Sequence, residues 1–372
     1  MKKLKCLIFI FISSICLSGC WDQNIFEKVG FVLIVGIEEK RDNELLVTYT
    51  NPVFDPYVKE KIELLSIEAN LIRAAREEAR KTSAKSLEGG KIQQILLSND
   101  IAEKGIHHLL EIFSREPTNP IISYVVVVEG SPNKLLKATE AFEDKPLPAF
   151  YINQLLENNI DSSYIPRTRI FNFESKYFSP GIDPIAPLIK LETEKGKGIE
   201  IDGTALFSED KMVGKINPRQ TALLLAMMKE MKSVEYISKE EFQDVKKVMK
   251  KGAAVLLRSK KNEIKVSIID NKPKVDISLT FNGRLDELQW HSRYDKKLEG
   301  EIEYALSNEI KEECNRILSY MQSIGSDPIG IGDMVRAKHN FYWKAVDWKD
   351  AYKNVKFNVN VKININQHGI IT

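Results

Sequence analysis

Apolar positions along this chain follow several patterns, and each implies a different element. VGFVLIVGI, residues 29–37, is β-branched and nearly all apolar, the pattern of a strand buried on both faces. ELLVTYT (44–50) reads as its neighbour. Ile67, Leu71, Ala74, Ala75 and Ala79 then recur at helical spacing, with Arg73, Arg76, Glu77, Glu78 and Arg80 opposite them, which predicts an amphipathic surface helix. IQQILLS (92–98) is another strand, running into NDIAEKGIHHLLEIFSRE. There Asp100 with Glu103 reads as a capping box, and Ile101, Leu109 and Phe113 mark the buried side of a helix. ISYVVVVEG (122–130) completes a third central strand, so strands alternate with helices in this half of the chain.

SPGIDPIAPL (179–188) and EKGKG (194–198) are rich in turn residues and predict a linker, with a boundary near residue 195. Beyond it, GIEIDGTALF and KMVGKI, separated by Ser208-Glu209-Asp210, read as a hairpin. Residues 217–231 form a Leu- and Met-rich helix, where Met227, Met228 and Met231 serve either as core filling or as an adaptable surface. Farther on, the alternation is strictly two-residue. Ile264, Val266 and Ile268; Val275, Ile277, Leu279 and Phe281; and Val355 through Ile365 each alternate with polar residues, which gives one buried and one wet sheet face, usually antiparallel. A helix at about 296–322 carries a single apolar stripe suited to covering the buried face. The fold class is α+β in two to three domains, with mixed and antiparallel sheets each covered by helices. The expected division is 20–195 for an N-terminal α/β-type part and 196–372 for a C-terminal α+β part. The latter holds a hairpin and helix at about 196–240 and a sheet plus long helix at about 245–372.

The first nineteen residues belong to neither part. MKKLK supplies three lysines and no acid, CLIFIFISSICL supplies an apolar run, and Leu17-Ser18-Gly19 leads into Cys20. A membrane-spanning helix needs about 20 apolar residues, so this shorter segment reads as a secretory signal peptide, 1–19. Small residues before a cysteine look like a bacterial lipobox. In that chemistry the Cys20 thiol takes a diacylglycerol and cleavage leaves it as the first residue.

Composition narrows the possibilities. Without Lys2, Lys3 and Lys5 the chain has 51 basic residues against 52 acids, a balance that offers no nucleic-acid footprint. Cys6 and Cys16 leave with the signal and Cys20 is blocked by lipid, so Cys314 has no cysteine partner. Cys314 falls within the apolar stripe of its helix and reads as core rather than as a nucleophile. His107 and His108 are adjacent, so they point about 100° apart on a helix and do not converge on one metal ion. No H-E-x-x-H, G-x-S-x-G, C-x-x-C or phosphate-cradling pattern occurs, and Gly89-Gly90-Lys91 lacks the flanking residues that a phosphate cradle needs. No catalytic, cofactor-binding or metal-binding residue is therefore assigned. Two features stay open: the asparagine row Asn358, Asn360 and Asn364, as a solvated face or a surface for a partner or polysaccharide, and Asp327-Pro328 with Gly330 and Gly332, as a structural turn or a contact.

Several ordered segments resemble the Ger(x)C family, the C subunits of bacterial spore germinant receptors. These are Cys20-Trp21-Asp22; Val29 to Glu38; Ile101 to Ile106 with Ser114-Arg115-Glu116-Pro117; Ile201 to Phe207 with Met212-Val213-Gly214; and Asp327 to Gly332. Gln23 stands where the family commonly has Arg, and Glu38 where Asp is usual. The resemblance implies a non-enzymatic lipoprotein on the outer face of the spore inner membrane, partnered by A-type and B-type integral-membrane subunits and triggering germination in response to nutrients. It also implies three α+β domains. Two rival readings remain: a lipoprotein that itself captures a nutrient or cell-wall ligand, and a cortex-acting enzyme.

Overall fold

The structure is a computed structural model that describes residues 28–41, 44–53, 57, 61–142, 145–192, 198–238, 253–288 and 296–368. The apolar run 29–37 forms two strands, β1 (Val29–Phe31) and β2 (Ile34–Glu39). β2 pairs antiparallel with β3 (Leu45–Pro52), and β3 with β4 (Ile62–Ala69). Helix α1 (Ile72–Thr82) follows, then β5 (Ser86–Glu88), which pairs with β1 in parallel. Ile67 thus lies in a strand rather than on the helix, and the buried face of α1 is Ile72, Ala75 and Ala79. Glu63, Ser66 and Glu68 interrupt the apolar positions of β4, so its two-residue alternation is hidden next to a helical one.

β6 (Gln94–Ser98), β7 (Tyr124–Glu129) and β8 (Ile185–Glu192) extend the sheet in parallel from β2. The antiparallel hairpin of β9 (Gly198–Ser208) and β10 (Lys211–Ile216) closes it, giving eight strands in the order β10-β9-β8-β7-β6-β2-β3-β4. β8 begins inside the proline-rich segment expected to be a linker. Pro187 is tolerated there because β7 pairs only with residues 188–190, so its missing N–H removes no bond to that neighbour.

Helices cover both faces of this sheet. α1, α2 (Asn99–Lys104), α3 (His107–Arg115) and α6 (Ile170–Tyr177) pack on Val35, Ile95, Leu97, Val125 and Val127. α4 (Pro132–Thr139) and α5 (Pro148–Asp161) pack on Ile34, Leu96, Val126 and Val128. Burial on alternate sides accounts for the unbroken valine run of β7. Gly105, at φ 114°, separates α2 from α3, and the cap of α2 is the Ser98 hydroxyl accepting from Ile101 N rather than Asp100 with Glu103.

After α7 (Pro218–Met227) comes a second sheet, β11 (Ser233–Ile237), β12 (Ala253–Ile269), β13 (Lys272–Leu288) and β14 (Lys356–His368). β12 and β13 form a long hairpin turning at Asp270-Asn271, both at positive φ, a conformation that Asp and Asn tolerate. The sheet is antiparallel up to β13, but β14 joins β13 in parallel. It can do so because α8 (Lys296–Ile324), α9 (Ile331–Lys338), α10 (Asn340–Ala345) and α11 (Trp348–Tyr352) intervene and return the chain to the starting end. α8 lays Ile302, Leu306, Ile310, Cys314, Ile317 and Met321 on the buried face of the sheet. Ile185, Leu206 and Ile216 of the first sheet belong to this same core.

Candidate functional site

Cys20, the predicted lipidation residue, lies outside the described residues. Among the described residues no group of three or more His, Cys, Asp or Glu is placed to hold a metal ion. His107 is stacked on Tyr177 at 4.1 Å and meets Phe178 edge-on at 5.2 Å, a packing role. Met227 and Met231 are buried, Met228 packs against the same core, and Asn358 and Asn360 face solvent. Cys314 is fully buried, and burial, helped by Glu313, pushes its thiol up to about 12. Iodoacetamide at about pH 8 should therefore leave Cys314 unmodified in the folded chain and alkylate it after denaturation. Mass spectrometry reads the difference, and equal labelling of both forms would contradict the burial.

What the fold does bring together is a polar junction between the two sheets. Its centre is Asp327, which is 3% exposed. One carboxylate oxygen accepts from Gly330 N and Ile331 N, both at 3.0 Å; the other accepts from Gly332 N at 2.8 Å and the Trp348 indole N–H at 3.3 Å. Asp183, from the loop before β8, links this centre to the first sheet. Its Oδ2 accepts from Asp327 N at 2.8 Å and its Oδ1 from Glu209 N at 2.7 Å, while Asp183 N donates to the Asp327 carbonyl at 3.0 Å. Ser326 Oγ donates to the Phe207 carbonyl at 2.6 Å.

Further bonds radiate from the β9–β10 turn. Ile106 N donates to the Asp210 carbonyl and His107 N to Asp210 Oδ2, each at 3.1 Å. Lys349 donates to Glu209 at 2.5 Å. On the other side, Ser179 Oγ reaches Asp333 Oδ2 at 2.8 Å, and Asp333 N donates to the Gly181 carbonyl at 2.9 Å. Gly181 and Gly332 are in close contact: a Cβ on Gly332 would sit 2.8 Å from Gly181 Cα and overlap the Trp348 indole. A cleft of about 670 Å³ opens over this junction, with Tyr177, Phe178, Trp343 and Trp348 among its walls.

Burial, together with repulsion from Asp183, pushes the Asp327 carboxyl up to about 7, against the donors that favour the anion. Asp183 is likewise raised, first by burial. Both carboxyls are committed to backbone amides, so the chemistry available to them is bracing. The turn-like composition of 179–183 and 327–332 was legible in sequence. That the two loops meet was not, because 144 positions separate Asp183 from Asp327. Three of the segments that carried the family resemblance converge here: 101–106 through Ile106, 201–207 through Phe207, and 327–332.

Such a fold, two helix-covered mixed sheets joined through a buried carboxylate brace, defines an α+β protein whose best-built polar site holds structure together. The chain belongs to the GerAC-like family of spore germination proteins. Its residues 22–191 match the model described as "Spore germination protein N-terminal domain", and residues 202–369 the model "Spore germination B3/ GerAC like, C-terminal". It is 23% identical over 370 residues to "Spore germination protein GerQC" of Bacillus cereus, covering 99% of each chain. It is 19% identical to "Spore germination protein KC" of Bacillus subtilis (strain 168), covering 94% of this chain and 92% of that one. The GerBC crystal structure superposes with a TM-score of 0.57 at 19% identity, over 92% of this chain and 99% of that one, and shares its fold.

Proposed function

We propose that this chain is a lipid-anchored, non-enzymatic subunit of a nutrient germinant receptor, held on the outer face of the spore inner membrane through Cys20. Its expected partners are A-type and B-type integral-membrane subunits. The observation that carries the reading is Leu17-Ser18-Gly19-Cys20 placed directly after a basic and then apolar N-terminal segment, in a member of a spore germination family. Among the described residues no helix is long and apolar enough to cross a membrane. A thioether-linked diacylglycerol brings two acyl chains at about 0.8 kcal/mol per buried CH₂, and two chains are what stable attachment takes. The folded part then supplies surfaces that hold or tune its partners, with a division of the chain near residue 195 and the wet face of β14 as one candidate contact.

Cys20→Ala is expected to move the protein from the membrane fraction to the soluble fraction and to impair nutrient-triggered germination. Fractionation of spore membranes with an immunoblot, beside a germination assay, checks both. A Cys20→Ala protein that stays with membranes in spores that respond normally would sink the reading.

A further inference from the structure

Away from the junction, a separate cavity of about 550 Å³ opens beside α6 and the start of β8. Its walls are of two kinds. Ile122, Phe171 and Ile185 are apolar, and the first two are 57% and 44% exposed at its mouth. Against them stand three cations, Arg167, Arg169 and Lys176, with a single carboxylate, Glu230.

The cations are not equally committed. Arg167 is clamped on Glu157 through a two-pronged contact at 2.9 and 2.6 Å, and it also donates to the Tyr124 hydroxyl at 2.8 Å. Tyr124 OH in turn donates to Glu157. This network fixes the Tyr124 ring, over which the Arg169 guanidinium lies at 5.0 Å. Arg169 is thereby held in place by stacking, and among the described residues it makes no close ion pair, Glu157 acting on it only through longer-range attraction. Lys176 is half-buried and, among the described residues, pairs only with Glu230, 3.9 Å away. Burial lowers its affinity for a proton, and Glu230 offsets that only in part. One carboxylate therefore faces two cations in a cavity of ordinary ligand-binding size.

We propose that this cavity binds a small organic carboxylate with a compact apolar portion. The carboxylate is received by Arg169 and Lys176, and the apolar portion lies against Phe171, Ile122 and Ile185. A bound carboxylate supplies the counter-charge that Glu230 supplies poorly at 3.9 Å. Lys176 sits on α6 and Glu230 follows α7, so the wall of the cavity is built from both halves of the chain. The inference stands on this cavity alone and does not depend on the receptor reading or on Cys20.

Calorimetric titration of the full chain in a non-ionic detergent tests it, with 3-phenylpropionate as the probe, 3-phenylpropan-1-ol as its neutral counterpart and inorganic phosphate as a bare anion. The expected result is saturable binding of one 3-phenylpropionate, weakened about tenfold or more in Arg169→Gln and in Lys176→Gln. Affinity should also fall as pH rises, at lower pH than an ordinary lysine would dictate, because only protonated Lys176 attracts the anion. Phe171→Glu, at a position 44% exposed, places a repelling charge at the mouth and should abolish binding even if a cation variant fails to fold. An absence of saturable binding, an alcohol that binds as tightly as the acid, phosphate that binds as tightly as 3-phenylpropionate, or affinity unchanged by Phe171→Glu would each overturn the proposal.

Discussion

Asp327→Ala is expected to loosen the junction between the two sheets, at a cost of about 3–5 kcal/mol in the stability of the region it braces. The carboxylate accepts from three backbone N–H groups and the Trp348 indole, all buried. Alanine would leave those buried donors without their acceptor. The local reading is hydrogen exchange at Gly330, Ile331 and Gly332, which should accelerate sharply, and the global reading is a lower urea midpoint. Unchanged protection at those three amides would show that the brace is dispensable. Asp327→Asn separates shape from charge. The wild-type carboxyl rises from 3.8 to about 7 on folding, so between those values the native chain holds a proton that the unfolded chain has released. The stability contributed by this group is fully present below about 3.8 and is lost as pH rises to about 7. At about 1.36 kcal/mol per unit, the span amounts to about 4 kcal/mol, shared with Asp183, whose carboxyl is raised in the same direction. Asparagine holds no such proton, so Asp327→Asn should flatten the fall in stability between about pH 4 and pH 7 relative to the wild-type chain. An identical slope in both proteins would mean that the titration belongs elsewhere.

The elements legible in sequence are those whose burial has one simple cause. Val125 to Val128 lie between helices on both sides, and the two-residue alternation of β12, β13 and β14 reports a sheet with a single covered face. The stripe that includes Cys314 likewise fixes α8, since all its apolar positions meet one surface. Elements stabilised by context were harder to see. β4 is an edge strand with half-buried residues, so IELLSIEA carries no clean alternation and its end merges with the helical spacing of α1. α4, α5 and α6 fill the long connection from β7 to β8, and Pro132 and Pro148, which look like breakers, instead occupy first-turn helical positions. The parallel pairing of β14 depends on the path taken by four intervening helices, which periodicity cannot express. The junction is the extreme case. Asp, Gly and Pro mark both of its loops as turns, but the hydrogen bonds between them depend on the packing of both sheets.

Gly203→Ala is the other substitution expected to have a large effect, and it explains why a glycine stands within Ile201-Asp202-Gly203-Thr204. Gly203 has φ 123°, a conformation that side-chain-bearing residues rarely adopt, and it lies at a register shift opposite Leu188 and Ile189. A Cβ there would overlap the Ile216 carbonyl oxygen and come within 2.9 Å of Asn217. Neither obstacle can rotate away, because both are backbone. Asn217 caps α7 by accepting from Gln220 N at 2.9 Å, and Thr204 bonds to Thr221 of the same helix at 2.8 Å. The clash would therefore lift α7 from β9 and disturb the core that Leu206 and Ile216 share with the second sheet. Backbone strain alone accounts for about 1–3 kcal/mol, and the overlap adds to it. Gly130→Ala provides the comparison: its φ is 96°, yet a Cβ there meets nothing within 4 Å. Thermal unfolding of the two variants side by side should show Gly203→Ala destabilised well beyond Gly130→Ala. Equal losses would mean that conformational strain, rather than the close approach of β9 to the start of α7, is what the glycine provides.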